Sequence, residues 1–232
     1  MRLIIFDFDG TIHRKETPRL FLRVLREEET KRKMVAQFYR AVAGVYILYR
    51  LGAGRELMRR RVPNGIARIM EGMSRVEVEG FFEKCLPIAK ENFSPAALQR
   101  VRAHLDAGDR ILLLSGAFAP FVASVARDLG IHHWLGTELA VAADGRCAGR
   151  IQTLLIGPPK VQALNTFLRE QKQAGNVFDL AEAYAYADGL QDLPLLTRVG
   201  HPVAVNPDRG LGREARKRGW EIIADEAAAG DH

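Results

Sequence analysis

"IIFDFDGT" (Ile4–Thr11) follows Leu3 with three more apolar residues and then sets two acids one residue apart, closed by Gly10 and Thr11. A short apolar run of this kind belongs to a strand covered on both faces of a parallel sheet. In extended chain, residues i and i+2 point the same way, so Asp7 and Asp9 face one site while Phe6 and Phe8 go to packing. Neighbouring carboxylates repel unless a cation or proton is supplied, and their surroundings can divide them between two roles. Gly10 permits a tight turn, and Thr11 places a hydroxyl beside it. The stretch predicts a buried first strand that delivers acids to a site at its carboxyl end.

Working outward, the sequence turns helical. From about Pro18 to Asn92 apolar residues recur at helical spacing, as in Leu22, Leu25, Val35, Phe38, Tyr39 and Val42, with breaks expected near Gly52 to Gly54 and at Pro63, Asn64 and Gly65. Beyond Ser94 strands and helices alternate. Ser94 and Pro95 open a helix that Gly108 closes. Ile111 to Leu114 is a buried strand, followed by a helix from Pro120 to Leu129. Glu138 to Ala142 and Cys147 to Ile151 form a hairpin around Asp144 and Gly145. A helix from Lys160 to Gln173, strands at Ala183 to Ala187 and Pro202 to Val205, a helix from Arg209 to Arg218 and a strand at Glu221 to Ile223 follow, and the tail after Asp225 is expected to fray. The pattern predicts an α/β fold, a Rossmann-like parallel sheet flanked by helices, with an all-helical cap inserted after the first strand. The expected division is a core of residues 1–13 and 94–232 and a cap of residues 14–93.

Composition narrows the function classes. Hydrophobic residues make up 47% and charged residues 27% of 232, the balance of a globular chain able to bury a substantial core. The first ten residues hold two acids and lack a signal-cleavage pattern, so a cytoplasmic location is expected. Cys85 and Cys147 are far apart and outside any CxxC, which speaks against a disulfide scaffold or thiolate zinc site. No apolar stretch reaches the roughly 20 residues of a membrane span. The net charge of +6 is uneven: Arg14 to Glu91 holds 18 basic and 10 acidic residues, net +8, leaving −2 for the remainder. Such a segment suits anionic ligands or surfaces, and equally a solvated helical face. No nucleic-acid recognition motif accompanies it, so no nucleic-acid partner is expected.

Ligands of parallel α/β sheets sit at the carboxyl ends of the strands. That rule selects Asp7 and Asp9, then Ser115 and Gly116, then the turn Gly157 to Lys160, then Asp188 to Asp192 after "AYAYA". Asp7, Asp9 and Asp188 together make a hard oxygen site suited to Mg²⁺. His13 is a candidate substrate contact beside the first motif, whereas His104, His132, His133 and His201 have no ligand-like spacing and are expected on the surface or in loops.

The ordered set "DFDGT", "LLLSG", "GPPK" and "YADGLQDLPLL" resembles the haloacid dehalogenase superfamily, and the helical insert with the late "GHPVAVNPD" and "GREARKRGW" resembles its phosphoserine-phosphatase-like branch, the subfamily IB hydrolases. The resemblance covers nearly the whole chain. It implies a phosphatase with Asp7 as nucleophile, Asp9 as general acid and base, and Mg²⁺ held by the Asp7 carboxylate, the Asp9 carbonyl and Asp188. It further implies phosphate binding by Thr11, by Ser115 and by the Gly116 amide at a helix N-terminus, charge compensation by Lys160, and Asp192 as a support that orients Lys160 or a metal-bound water. Glu16, nine residues past Asp7, matches the spacing of a glutamate that grips a substrate amine. The chain departs from the pattern at Ala187, often glycine, at Gly189, often serine, and in the two prolines Pro158 and Pro159.

The implied substrate is a small phosphorylated metabolite. "AVAGVYILYRLGAGRELMRRR" (Ala41–Arg61) also permits peripheral contact with anionic lipid and action on a phospholipid-derived phosphomonoester, although an ordinary cap helix has the same pattern. A DxD glycosyltransferase would leave Ser115 and Lys160 without roles, and a non-catalytic binding protein on the same fold would not need both Asp7 and Asp9. The oligomeric state is left open.

Overall fold

Strand β1 (Leu3–Phe6) is wholly buried and lies at the centre of the sheet, as its unbroken apolar run requires. The structure is a computed structural model and describes residues 2–50 and 55–225. After β1 come four helices, α1 (Thr17–Glu27), α2 (Glu29–Arg50), α3 (Arg55–Ile69) and α4 (Arg75–Lys90). Alternation then begins with α5 (Pro95–Asp106), β2 (Arg110–Phe118), α6 (Ala119–Asp128), β3 (His133–Val141), β4 (Cys147–Thr153) and α7 (Pro158–Gln173). The chain finishes through β5 (Tyr184–Ala187), a 3-10 turn at Leu190–Asp192, α8 (Leu193–Leu196), β6 (His201–Val205), α9 (Arg209–Arg218) and β7 (Glu221–Ile223). The sheet order is β4-β3-β2-β1-β5-β6-β7, antiparallel only at the β3–β4 hairpin. Crossing from β1 to β2 on one side and to β5 on the other makes the carboxyl edge of β1 the switch point where an open α/β sheet forms its crevice.

Two apolar layers cover the sheet. Leu3, Ile5, Leu112, Leu114, Ala185 and Ala204 pack on one face with Leu164 and Phe167 of α7. Ile4, Phe6, Leu113, Tyr186 and Val203 belong to the other, which runs on without interruption into the helices after β1. Phe21 of α1 and Phe82 of α4 meet Phe118 and Phe121 at ring separations of 5.0–6.1 Å. Aromatic pairs of this kind add about 0.5–1.5 kcal/mol each beyond area burial. A second tie is main-chain: Gly72 N donates to Cys147 O and Cys147 N to Met73 O, joining the α3–α4 turn to the hairpin.

Several elements differ from the expectation. No break occurs at Pro63, Asn64 and Gly65; α3 runs through them. Asn64 Nδ2 donates to the Arg60 carbonyl, a side-chain bond within the stretch that Pro63 weakens by its missing N–H. Gly65 is a contact glycine, because a Cβ there would lie 2.1 Å from the Phe38 ring of α2. The other expected break, at Gly52 to Gly54, and the tail beyond Asp225 lie outside the described residues. Strand β2 continues four residues past Leu114, with a register shift against β3 between Leu114 and Phe118. Helix α7 begins at Pro158, where prolines at the first positions lose no helical hydrogen bond. His133 lies at the start of β3.

His104 is buried, against the surface or loop place expected of it. Its Nδ1 lies 2.8 Å from Asp109 Oδ2 and its Nε2 2.8 Å from the Tyr186 hydroxyl, while Tyr186 stacks on Phe6 at 4.2 Å. The network fixes the middle of β5, whose carboxyl end carries Asp188. His104→Phe keeps a ring there and removes both bonds, leaving the Tyr186 hydroxyl buried without its partner. Chemical denaturation is expected to show a loss of about 1–3 kcal/mol; unchanged stability would remove the network from the fold's support.

Candidate active site

Four chain segments meet at the carboxyl edge. Asp7 leaves β1 with its N–H bonded to the Tyr186 carbonyl, and its Oδ1 accepts from the Phe8 N–H at 2.7 Å. Lys160, in the first turn of α7, places Nζ 2.9 Å from Asp7 Oδ2 and 2.8 Å from Asp192 Oδ1. Asp188 follows β5 directly, and carboxylate oxygens of Asp7, Asp188 and Asp192 lie within 4.8 Å of one another. Asp7, Lys160 and Asp192 are each at most 4% exposed.

Gly10 makes this crowding possible. Its φ of +77° lies in the region only glycine enters freely, and a Cβ there would stand 2.0 Å from Asp188 Oδ2. Opposite, a Cβ on Gly116 would meet Ile156 at 3.1 Å and the Leu155 carbonyl at 3.3 Å, so the end of β2 lies against the approach to the lysine turn. Thr137 ties the two together, donating to the Gly116 carbonyl at 2.7 Å and accepting from Leu155 N at 3.2 Å. Thr137 was not singled out in the sequence; its position on β3, beside β2, gives it no local motif.

Charge is unbalanced here. Three carboxylates against one ammonium sum to −2 when all are ionised. Burial pushes the Asp7 carboxyl well up, Lys160 pulls it back in part, and Asp192 and Asp188 push it up again. Burial opposes the Lys160 charge, but Asp192 and Asp7 outweigh it, so its pKa is raised. Asp188 is pushed up to about 7 by burial and then by Asp192. Its Oδ1 and the Oδ2 of Asp192 are buried with no hydrogen-bond partner among the described residues. Unsatisfied hard oxygens and a double negative charge are what a divalent cation satisfies, so the residues fit such an ion.

Asp9 stands apart from that cluster. Its Oδ1 accepts from Thr17 N at 3.1 Å and its Oδ2 from Thr17 Oγ1 at 2.8 Å, fixing the carboxyl. Thr17 was missed in the sequence, lying just ahead of the helical stretch expected from about Pro18. His13 is buried, stacked on Phe8, with Nδ1 3.8 Å from Asp9 Oδ1, so it faces the acid. Ser115 is buried and its Oγ accepts from Ala117 N, which leaves its own proton free to donate. Ser115 and Gly116 belong to the end of β2 and not to a helix N-terminus, since α6 begins only at Ala119. Thr11 Oγ1 is buried and unpartnered among the described residues.

Glu16 precedes α1 and remains open to solvent, yet surrounding protein and then the charge of Asp9 raise its pKa, with Arg19 and Arg59 opposing. Arg59 comes from α3 and donates to Gln191 Oε1 at 2.6 Å, in the turn between Asp188 and Asp192. A contact across 132 positions leaves no trace in local sequence. A groove of about 440 Å³ on α5, lined by Pro95, Leu98 and Arg102 among others, contains none of these groups.

A sheet that gathers buried acids, a lysine and hydroxyl donors at its carboxyl edge is built for chemistry on an anionic group. The chain belongs to the haloacid dehalogenase-like hydrolase family, whose model matches residues 4–197. It is similar to a histidinol-phosphatase of Neisseria meningitidis serogroup C, 35% identical over 57% of this chain and 59% of that one. It is also similar to a phosphoserine phosphatase of Halobacterium salinarum, 27% identical over 91% of this chain and 89% of that one. A crystal structure of a protein of unknown function from Bordetella pertussis Tohama I has a TM-score of 0.78 at 28% identity, covering 96% of this chain and 97% of that one. Against other curated relatives that are 35% identical, the chain spans only 42–44% of their length. No helix among the described residues is long and apolar enough to cross a membrane.

The raised carboxyls give the cation-free protein a definite pH response. A group that ionises less readily folded than unfolded supports the fold fully below its unfolded pKa, 3.8 for Asp188, and that support is lost as pH rises through 7. Chelator-treated protein is expected to lose thermal stability between about pH 5 and about pH 8, and Asp188→Asn to flatten the loss. A melting temperature that rises over this window, or an equally steep fall in the variant, would contradict the assignment.

Proposed function

We propose that the protein is a phosphomonoester hydrolase acting through an aspartyl-phosphate on Asp7. The observation that carries this reading is the buried Asp7 carboxylate held 2.9 Å from the Lys160 ammonium and grouped with Asp188 and Asp192. The phosphatase names of the two relatives above support a phosphomonoester as substrate class.

A carboxylate oxygen of Asp7 attacks phosphorus in line, forming an O–P bond as the ester P–O bond to the alcohol breaks. Asp9 donates its proton to the departing alcohol oxygen, then takes one from the water that attacks the acyl phosphate, releasing inorganic phosphate and restoring Asp7. Thr17 keeps the Asp9 carboxyl in one rotamer for both transfers. Lys160, itself positioned by Asp192, offsets negative charge on Asp7 and the phosphoryl oxygens. The Ser115 and Thr11 hydroxyls and the Gly116 amide donate hydrogen bonds to the phosphate oxygens. Mg²⁺, held by Asp7, Asp188 and the Asp9 carbonyl, would supply the positive charge under which an anionic phosphate can approach the aspartates.

The helices of residues 14–93 act as the cap, placing Glu16 and Arg59 beside the site, where they suit a small phosphorylated metabolite with its own charged groups. Two buried free cysteines, Cys85 and Cys147, agree with a cytoplasmic place of action.

Release of phosphate from an aryl phosphate in Mg²⁺ buffer tests the reading. Asp7→Asn is expected to fall to background, Asp9→Asn by about 10²–10⁴-fold and Lys160→Ala by about 10²–10³-fold. Wild-type turnover in Asp7→Asn would refute the nucleophile, and with it the proposal.

A further inference from the structure

Between Thr30 and Met70 the chain holds ten basic residues and one acid, Glu56, a net +9; with +6 overall, all the rest sums to −3. These residues make up most of α2 and all of α3. On α2, Arg32, Ala36, Tyr39, Arg40, Ala43, Tyr46 and Ile47 recur at spacings of three and four, so they share an arc, and all are exposed. The opposite arc, Val35, Val42 and Val45, is buried. On α3, Leu57, Arg60, Arg61, Asn64 and Arg68 share the exposed face, while Ile66, Ala67 and Ile69 are buried. Tyr39, Tyr46, Ile47 and Leu57 are 40–59% exposed, and they are four of the ten large apolar residues exposed among the described residues.

A merely solvated basic face does not need Ile47 and Leu57 beside its arginines. The combination has a specific physical partner. Basic side chains are drawn to an anionic membrane surface, while tyrosine, isoleucine and leucine gain by entering the boundary between headgroups and acyl chains. Nucleic acid would satisfy the arginines but give the aliphatic residues no apolar medium, and a second copy would bring the same +9 against itself. We infer that the outer faces of α2 and α3 dock on an anionic lipid bilayer. This does not depend on the phosphatase reading. Arg59, on the other side of α3, holds Gln191, so the docked hairpin would lie directly over the turn from Asp188 to Asp192.

Co-sedimentation tests this with phosphatidylcholine vesicles, pure or carrying about one third phosphatidylglycerol. The protein is expected to sediment with the anionic vesicles at low ionic strength, to be released at high salt, and to ignore the neutral ones. Arg32→Glu/Arg40→Glu/Arg61→Glu is expected to weaken binding at least about tenfold, and Ile47→Asn/Leu57→Asn to weaken it as well. Arg213→Glu/Arg216→Glu on α9, equally exposed, is expected to leave it unchanged. As a readout independent of those variants, Ile47→Trp should shift its emission to shorter wavelength on anionic vesicles alone. Absence of binding, equal binding to neutral vesicles, equal loss in the α9 variant, an unmoved Trp emission, or capture of duplex DNA or polyglutamate in place of vesicles would overturn the inference.

Discussion

One ammonium among three carboxylates, two of them buried and that of Asp188 half-buried, is the constraint on which the carboxyl edge of the sheet depends. Lys160 bonds to Asp7 and Asp192, while Asp188 Oδ1 has no hydrogen-bond partner among the described residues. Desolvation penalises every uncompensated charge at this depth, so the assembly persists only by holding protons or by taking up positive charge. A site in that condition is poised for a dication and for an anion arriving with it. The fold supports the strain with close main-chain approaches: Gly10 against Asp188, Gly116 against the Leu155 carbonyl, and Thr137 bridging the two neighbouring segments. Gly10 lies in the turn after β1, Gly116 in the stretch of β2 where its register against β3 shifts, and Thr137 within β3 itself.

The helices after β1 share a continuous apolar cluster with one face of the sheet. Phe21 and Phe82 share one aromatic cluster with Phe118 and Phe121, and the α3–α4 turn is hydrogen-bonded to the β3–β4 hairpin. From α3 the long side chain of Arg59 approaches the site and meets Gln191. The same helix therefore serves two environments: its inner side contacts the turn that carries the acids, and its outer side carries the concentrated basic charge. A substrate entering between α3 and that turn would have to separate Arg59 from Gln191.

Much of this was legible in the residues alone, for reasons that differ by element. Leu3–Phe6 and Tyr184–Ala187 are apolar runs too short for helices, and their polar successors Asp7 and Asp188 mark the sheet's carboxyl edge; that pattern is local and was read correctly. The Asp192 to Lys160 pairing was reached through family resemblance, since neither residue alone signals the other. Pro63 and Gly65 misled, because helix breakers are judged by intrinsic propensity while α3 is set by burial of Ile66, Ala67 and Ile69 and by the contact of Gly65 with Phe38. His104 misled similarly: Asp109 is only five residues on, but Tyr186, the partner that ties it to the sheet, comes from a strand 82 positions away. Thr17 and Thr137 were invisible for the same reason, being hydroxyls whose importance lies wholly in what tertiary structure sets beside them.

The excess negative charge of Asp7, Asp188 and Asp192 is proposed to bind one divalent cation. Anomalous diffraction from crystals soaked in Mn²⁺ measures this most directly. The expected result is a single strong peak in contact with carboxylate oxygens of Asp7 and Asp188, absent in Asp188→Asn crystals treated alike. A Mn²⁺ peak remote from these residues, or one that persists undiminished in Asp188→Asn, would contradict it.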